Sequence, residues 1–372
     1  MTLDQLIASS AQRLDEAGVS FGHGTLHAHD EAAWLVLWRL GLPLDSEIDE
    51  RPVAPDQEAQ VQALIEERIA SRKPAAYLTH EAWLQGVPFY VDERAIVPRS
   101  LIAEVLADGT IDAWLSDQTT RVLDLCTGNG SLAVLAALAW PEVQVTGGDL
   151  SHDALAVAHI NVAKHGLQDR IKLVHSDGLS GLPGPFDLIL CNPPYVCQAS
   201  MATLPAEYRA EPELALAGGS DGMDFVRQLF RDAPSRMSQD AVLVLEIGNE
   251  VGHFMAAFPG LEVAWLDTSA GDDQVLLVTR DALSSLQERR PVAMTAPGWF
   301  AFVQSPRGRG SYNPKPDDQP QKRHPPPRHQ SVARSGFGHP QPRRKSRSGR
   351  PQWRGQVHIV CAAQRHAARR RR

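Results

Sequence analysis

Apolar residues in the N-terminal part of the chain recur every three to four positions, which is the spacing of amphipathic helices. In the third such segment Val61, Leu64, Ile65 and Ile69 share one face, and Pro74 interrupts the pattern. The spacing predicts helices over residues 3–17, 30–40 and 56–71. Together these helices predict a small N-terminal helical domain over residues 1–80.

Between residues 83 and 99 the pattern changes to a short alternation of apolar residues around Gly86 and Pro88. Alternation on either side of a glycine is typical of a β-hairpin. The sequence therefore predicts a β-hairpin and linker over residues 81–100, which connects the helical domain to the rest of the chain.

From Arg121 onward, short apolar segments alternate with helical patterns. This succession predicts parallel βαβ units in a doubly wound α/β sheet. The predicted strands cover residues 121–126, 144–150, 171–177, 186–191, 241–248, 261–266 and 274–280. The last two are separated by T-S-A-G-D-D, too short for a parallel crossover, so they should form an antiparallel hairpin at the sheet edge. The prediction is a seven-stranded sheet with an antiparallel last strand, in a domain of residues 101–283.

Net charge divides the chain near the end of that domain. The whole sequence carries 37 Lys and Arg against 44 Asp and Glu, a net charge of −7. Up to Leu283 there are 17 basic and 41 acidic side chains, whereas from Ser284 there are 20 and 3, together with 12 of the 27 prolines. A segment so poor in periodic apolar residues cannot bury enough surface to offset its chain entropy. Residues 284–372 are therefore predicted to be a basic, disordered tail.

Composition narrows the class of protein further. The chain is 43% hydrophobic and has four cysteines, which excludes a disulfide scaffold, and Cys126, Cys191 and Cys197 lack metal-ligand spacing. No segment approaches the roughly 18 apolar residues of a membrane span, and the first residues do not resemble a signal peptide. The sequence predicts a cytoplasmic, enzyme-like protein with no membrane segment and no metal.

A glycine-rich turn follows the first predicted strand, in the segment V-L-D-L-C-T-G-N-G-S-L-A. Gly128 and Gly130 leave room for a ligand to approach the backbone at a helix N-terminus. With Ala133 they also fit the dinucleotide pattern G-x-G-x-x-[GA], and Asp149 ends the second strand, where an acid binds ribose hydroxyls. On these residues alone, a nicotinamide enzyme and a plain tight turn both remain open.

Two further acids bear on the choice of ligand. Asp124 lies inside the first strand, four residues before Gly128. A carboxylate there suits a ligand with an ammonium group and repels a pyrophosphate, which favours S-adenosylmethionine over NAD. Asp177 ends the third strand on the same carboxyl edge, where ligands of open α/β sheets bind, although the residue is equally consistent with a helix or turn cap.

The most specific motif is Asn192-Pro193-Pro194-Tyr195, directly after the strand F-D-L-I-L-C. The prolines fix the backbone, Asn192 adds a side-chain carbonyl, and Tyr195 adds an aromatic wall. Such a set of acceptors suits a planar NH2 group. Hydrogen bonds from that group to Asn192 Oδ1 and the Pro193 carbonyl would hold its nitrogen in line with a methyl-sulfonium bond. The alternative is a strand-ending turn that binds nothing.

These motifs resemble the class I S-adenosylmethionine-dependent methyltransferases, and the N-P-P-Y tetrapeptide is similar to that of enzymes acting on glutamine or adenine. R-K-P-A-A-Y-L-T from Arg72 and F-Y-V-D-E-R-A-I-V-P-R-S from Phe89 resemble the N5-glutamine methyltransferase family. E-Y-R-A-E-P-E-L-A-L and G-G-S-D-G-M-D, further along the chain, also resemble it. The resemblance implies a Rossmann-like methyltransferase sheet and a helical N-terminal domain that recognises the substrate.

One segment of the linker separates the branches of that family. Release-factor enzymes typically carry P-R-P-E-T-E after the linker, whereas this chain has Arg99-Ser100 followed by Leu101. The Arg-Ser form resembles the branch that methylates ribosomal protein L3, and Leu101 departs from the proline usual there. The resemblance therefore implies L3 as the protein substrate, with a release-factor substrate as the alternative.

The resemblance also implies roles for individual residues. Asp124, Gly128 and Gly130 would hold the methionine end of the cofactor, Asp149 its ribose, and Asp177 would lie near its adenine. Asn192, Pro193, Pro194 and Tyr195 would bind the substrate amide, with Asn192, Pro193 and Tyr195 as catalytic residues and Asn192 also near the cofactor. Arg99 would orient the substrate between the domains or be a surface or capping arginine, and Glu246 would be a cleft acid or a cap.

Two other functions remain open on the sequence. An adenine-N6 methyltransferase acting on DNA or RNA would bind a similar NH2 group, but it would need a basic groove. The acidic composition up to Leu283 favours a basic ribosomal protein as partner over a polyphosphate, so no direct nucleic-acid contact is required. A third hypothesis is RNA binding through the Arg-rich tail.

The tail has a competing explanation in its reading frame. With suitable synonymous codons, residues 350–361 read in a shifted frame give G-R-N-G-A-G-K-S-T-L-F, which contains a complete Walker A phosphate loop. We therefore interpret the tail from about Asp318 as out-of-frame read-through into a neighbouring ATPase gene, in preference to an RNA-binding segment.

If this hypothesis holds, the DNA of the locus carries an ATPase reading frame that overlaps the codons of residues 318–372. Resequencing the locus, together with the intact mass of the purified protein, tests it. A DNA sequence without the overlapping frame would refute the hypothesis.

Overall fold

The N-terminal part of the chain folds into helices, as its apolar spacing predicts. The computed structural model describes residues 1–288; the rest of the predicted tail lies outside the described residues. The first helices are α1 (Leu3–Glu16), α2 (Ala28–Arg39), α3 (Pro55–Ser71) and α4 (Ala75–Thr79). The first three begin and end within two residues of the predicted ranges. The fourth has only five residues, too few for helical periodicity to be visible in the sequence.

The N-terminal helices enclose an apolar core of their own. A buried cluster of charged groups lies beside that core. Arg68 on α3 is fully buried; its Nε donates to Glu31 at 2.8 Å and its Nη1 to Glu207 at 3.5 Å. Burial raises the pKa of Glu31, although Arg68 and the Thr25 hydroxyl act in the opposite direction. Because Glu207 lies far along the chain, this cluster ties the N-terminal helices to the domain that follows.

The predicted hairpin forms between β1 (Ala82–Leu84) and β2 (Val87–Phe89), which pair antiparallel. The turn residues Gln85 and Gly86 both have positive φ, at 50° and 75°. This is the conformation of a two-residue turn whose twist matches the flanking strands. A linker then leads into α5 (Ile102–Asp108).

The second domain alternates strands and helices as expected. Its strands are β3 (Arg121–Leu125), β4 (Gln144–Asp149), β5 (Ile171–His175), β6 (Phe186–Cys191), β7 (Met237–Glu246), β8 (Ala264–Thr268) and β9 (Gly271–Thr279). Its helices are α6 (Ser131–Ala139), α7 (His152–Lys164), α8 (Gln198–Met201), α9 (Ala206–Arg209), α10 (Asp224–Asp232), α11 (Val251–Ala257) and α12 (Arg280–Glu288).

These seven strands form one sheet in the order β5-β4-β3-β6-β7-β9-β8. The strands from β3 to β7 are parallel, and β9 runs antiparallel to both β7 and β8. The predicted doubly wound sheet, with its antiparallel last strand and edge hairpin, is confirmed. The hairpin turn is tighter than predicted, because Gly271 to Asp273 belong to β9 and not to the loop.

Both faces of the sheet are covered by helices. One core contains side chains of α5, α6 and the hairpin, and the other contains side chains of α10, α11 and α12. Leu283 is fully buried in the second core and Leu286 packs against it. The helix consequently continues through Glu288, past the predicted domain end at Leu283, because its apolar face is covered by the sheet. Within residues 1–288, no helix has both the length and the apolar character needed to cross a membrane.

The buried cluster around Arg68 predicts a large loss of stability when its cation is removed. Arg68→Ala would remove the cation paired with the buried Glu31 carboxylate and leave it only the hydrogen bond from the Thr25 hydroxyl, so we expect the free energy of unfolding to fall by about 3–5 kcal/mol. Arg13→Ala is the control, because Arg13 pairs with Glu66 on the surface and should contribute less than about 1 kcal/mol. Urea denaturation of both variants measures the difference, and equal small losses would contradict the prediction.

Candidate active site

The carboxyl ends of the central parallel strands meet at one edge of the sheet. Leu125 on β3 is the register partner of both Gly148 on β4 and Cys191 on β6, and Cys191 is the partner of Leu245 on β7. The chain segments after these four residues therefore lie side by side. They carry the glycine-rich turn, Asp149, the N-P-P-Y motif and Glu246.

The glycine-rich turn after β3 uses its two glycines for different purposes. Gly128 has φ of +54°, and a Cβ atom built there would meet nothing closer than 4.0 Å, so its outer side is open. Gly130 has φ of +81°, and a Cβ there would lie 3.1 Å from the Cβ of Ala158 on α7. Only Gly128 thus leaves space for a ligand, whereas Gly130 lets α7 approach the turn closely.

Asp124 is completely buried at the base of this turn. Its Oδ2 accepts hydrogen bonds from the Thr127 hydroxyl at 2.5 Å and the Ala133 N–H at 2.9 Å, while its Oδ1 has no partner. Burial raises the pKa of Asp124 to about 7, in spite of these two hydrogen bonds. An unpartnered buried carboxylate oxygen of this kind is suited to a cationic group of a ligand.

Asp149 shapes the same turn from the neighbouring strand. Its Oδ2 accepts the Gly128 N–H and its Oδ1 the Ser151 N–H, each at 2.8 Å. Burial raises the pKa of Asp149. The adjacent Leu150 is 45% exposed and offers an apolar surface at the sheet edge. Asp177, after β5, has an exposed side chain that makes no hydrogen bond to residues 1–288.

The N-P-P-Y motif presents free acceptors at the end of β6. Asn192 is half-buried, and its side chain makes no hydrogen bond to any residue between 1 and 288. Pro193 is buried and its carbonyl likewise receives no donor from this part of the chain. These two oxygens are the acceptors that the sequence predicts for a planar NH2 group. Pro194 and Tyr195 complete the loop and are half-buried.

The Tyr195 ring is held by the end of β7. Its hydroxyl donates to Glu246 at 3.2 Å, and a Cβ atom at Gly248 would come within 2.5 Å of the ring. Burial raises the pKa of Tyr195, and Glu246 adds to this effect. Glu246 is itself buried, so it lies inside the fold beneath the loop and is not a surface cap.

Arg99 is bound by a residue that sequence reasoning did not single out. Its Nη1 and Nη2 donate to the two carboxylate oxygens of Glu211 at 2.6 and 2.7 Å, and its guanidinium lies over the Tyr208 ring. Burial alone would raise the pKa of Glu211, but Arg99 and His23 outweigh it and lower that pKa to about 2. Arg99 therefore ties the linker to the segment that carries Glu211, and both of its terminal nitrogens are engaged by the Glu211 carboxylate.

Asn161 is a further buried polar residue that the sequence analysis missed. Its amide donates to the carbonyls of Asn129 and Tyr90, and its Oδ1 accepts the Tyr90 N–H. It thereby fastens the end of the hairpin to the glycine-rich turn. The signal in the sequence is faint, a single amide on the otherwise apolar buried face of α7.

One group of potential metal ligands also forms near the loop. Cys197, Glu250 and His253 each place a ligand atom within 4.8 Å of the others. The spacing of the cysteines does not predict this group. The ligand atoms already have protein partners, since Glu250 pairs with His253 at 2.5 Å and Cys197 Sγ lies 3.3 Å from the Ser200 hydroxyl.

Together these groups define what the sheet edge can bind. Asp124 can take a cation, Asp149 a pair of hydroxyls beside the open side of Gly128, and Leu150 an apolar ring. Asn192 and Pro193 can take both N–H groups of an amide. A ligand with an ammonium group and a ribose can therefore lie next to a bound amide along one edge.

Comparison with known proteins shows what the whole chain is similar to. Residues 107–208 match the family described as "Methyltransferase small domain". The chain is 54% identical over 290 residues to the ribosomal protein uL3 glutamine methyltransferase of Bordetella pertussis, covering 76% of this chain and 97% of that protein. It is 50% identical over 298 residues to the protein of the same name from Burkholderia pseudomallei, covering 77% and 96%. The corresponding Neisseria meningitidis serogroup B protein is 46% identical over 287 residues, covering 76% and 94%.

The buried Asp124 predicts a specific pH dependence of stability. Its pKa of about 7 in the folded chain exceeds the ordinary value of 3.8, so between these values the folded state binds the extra proton and stability falls as pH rises. Relative to Asp124→Asn, the unaltered chain should lose about 1.4 kcal/mol of unfolding free energy per pH unit across this window. Urea denaturation of both proteins from pH 4 to pH 8 measures this; a difference that does not vary with pH would contradict it.

Proposed function

We propose that this chain methylates the side-chain amide nitrogen (N5) of a glutamine in uL3, with S-adenosylmethionine as methyl donor. The chain belongs to the family of ribosomal protein uL3 glutamine methyltransferases. The observation that carries the proposal is the pair of free acceptors, Asn192 Oδ1 and the Pro193 carbonyl, beside the cofactor edge of the sheet. They match the two N–H groups of a primary amide.

The residues at the ends of β3 and β4 fit S-adenosylmethionine. The unpartnered Oδ1 of Asp124 would attract its ammonium group, and the open side of Gly128 would admit its chain. Asp149 would accept the ribose hydroxyls, with Leu150 and Asp177 beside the adenine. The cofactor supplies a methyl group on a positively charged sulfur, which leaves as a neutral thioether.

The task of the N-P-P-Y loop is to orient a weak nucleophile. The lone pair of an amide nitrogen is delocalised into the carbonyl, so its attack on a methyl group needs a fixed geometry. Hydrogen bonds to Asn192 and Pro193 would hold both N–H groups, leave the lone pair directed at the methyl carbon and stabilise the developing positive charge. The methylated nitrogen then releases a proton readily as the amide conjugation returns, so a strong base is not required.

Charge favours a protein substrate over a nucleic acid. Residues up to Leu283 carry 41 acidic and 17 basic side chains, which repel a polyphosphate and attract a basic protein. An adenine-N6 methyltransferase would need the opposite balance. A release-factor substrate is disfavoured by the Arg99-Ser100 form of the linker and by the names of the relatives.

Asn192→Ala tests the proposed acceptor. The variant loses one of two hydrogen bonds to the amide, so we expect kcat to fall roughly 100-fold or more, as when one preorganised group of this kind is removed elsewhere. The affinity for S-adenosylhomocysteine, measured by calorimetry, should stay within about threefold because the cofactor contacts remain. Gln198→Ala, an exposed neighbour, is the matched control and should behave like the unaltered chain. Near-normal turnover of Asn192→Ala would exclude the assigned role.

The substrate itself is identified by comparing three candidate substrates. Methyl-labelled S-adenosylmethionine is offered with purified uL3, a release factor and DNA in parallel reactions. We expect label on a glutamine of uL3 alone. Label on the release factor or on adenine would replace the proposed substrate with that molecule.

A further inference from the structure

Glu246 connects two distant segments through a single buried carboxyl group. Its Oε2 accepts the Ser100 hydroxyl at 2.6 Å and the Leu101 N–H at 2.9 Å. Its Oε1 accepts the Tyr195 hydroxyl at 3.2 Å. The residue is only 3% exposed, so water does not compete for these contacts. A helix or strand cap would need backbone donors alone, whereas here two side-chain hydroxyls converge on the carboxyl.

The Tyr195 loop is enclosed from the other sides by glycines. Two residues beyond Glu246, Gly248 leaves the space that the Tyr195 ring occupies. Across the loop, a Cβ atom at Gly222 would come within 2.2 Å of the Tyr195 carbonyl oxygen, and one at Gly218 within 2.8 Å of the Pro194 carbonyl oxygen. The loop can therefore shift little without breaking the contact with Glu246.

The linker is held by two buried carboxyl groups at consecutive residues. Glu211 binds Arg99 through both carboxylate oxygens, and Glu246 binds Ser100. The linker joins the N-terminal helices to the sheet. Glu246 thus couples the position of the linker to the position of the Tyr195 ring.

We propose that Glu246 is a positioning residue for methyl transfer, which fixes the Tyr195 ring beside Asn192 and locks that ring to the linker through Ser100. The proposal rests on the proposed function, since the ring is taken as one wall of the amide pocket. Displacement of a reacting group by about 1 Å can lower a rate about 100-fold, so a residue that only positions another has a measurable effect on turnover.

Glu246→Gln is the principal variant because it preserves volume. A glutamine side chain has one oxygen, which can keep the donors Ser100 and Leu101. Its NH2 group then faces the Tyr195 oxygen, so the bond from the Tyr195 hydroxyl to a carboxylate is replaced by a weaker neutral bond that holds the ring less firmly. We expect kcat for uL3 to fall at least tenfold, while the affinity for S-adenosylhomocysteine changes less than twofold. Glu262→Gln, which makes the same substitution at an exposed glutamate, is the control and should leave both values unchanged.

A double-mutant cycle with Tyr195→Phe distinguishes positioning from general destabilisation. Tyr195→Phe removes only the hydroxyl, so it should lower kcat about as much as Glu246→Gln. If Glu246 acts through Tyr195, the double variant should be no slower than the slower single variant. The urea midpoints of the same four proteins should show the same lack of additivity.

The outcomes separate this inference from the proposed function. Turnover of Glu246→Gln within twofold of the unaltered chain overturns the inference, as do effects that multiply in the double variant. If Glu246→Gln does not fold, Tyr195→Phe carries the test, and its turnover within twofold of normal overturns the inference. If the unaltered chain does not methylate uL3, the proposed function fails. The urea midpoints still test the contact between Glu246 and Tyr195, and additive changes in the midpoints would overturn that contact.

Discussion

Parallel pairing of β3, β4, β6 and β7 is the constraint on which the candidate active site depends. Parallel strands must be joined by crossovers of one hand, so their carboxyl ends all reach the same edge of the sheet. The register places Leu125 beside both Gly148 and Cys191, and Cys191 beside Leu245. A slip of one residue in any of these pairs would turn the following side chains to the opposite face. The chemistry at this edge is therefore a consequence of strand register.

Two buried carboxyl groups, Asp124 and Glu211, have pKa values shifted in opposite directions because their partners differ. Asp124 has hydrogen bonds but no cation, and its pKa rises to about 7. Glu211 is similarly buried but is paired with Arg99, and its pKa falls to about 2. Burial disfavours the charged form in both cases, and for Glu211 the interactions with Arg99 and His23 reverse the result. Glu211 is consequently held by an ion pair within the fold, whereas Asp124 keeps one oxygen without a partner, which suits a positive group of a ligand.

A short segment around α9 connects the two domains to the site. Glu207 contacts Arg68 and Arg72 of the N-terminal domain, and Glu211 contacts Arg99 in the linker. Both glutamates are buried. Because both glutamates lie in this one short segment, a displacement of the N-terminal helices would be transmitted to the linker and, through Ser100 and Glu246, to the Tyr195 loop.

Much of the fold follows from local patterns in the sequence. Helical spacing predicted the bounds of α1 to α3 within two residues, and short apolar segments predicted all seven strands. The number of residues between β8 and β9 dictated an antiparallel hairpin. The N-P-P-Y motif and Asp124 were recognisable because their chemistry depends on residues that are adjacent or nearly adjacent in the chain.

The partners of the remaining residues were decided by tertiary structure. Arg99 and Glu211 are 112 positions apart, and Ser100 and Glu246 are 146 positions apart. No spacing rule connects such residues, because only the stacking of helices on the sheet brings them together. The sequence by itself thus determined the strands, the glycine-rich turn and the presence of the N-P-P-Y motif at the end of a strand. The packed structure alone decided that Arg99 is a tether, that Gly130 serves helix packing, and that Glu246 lies beneath Tyr195.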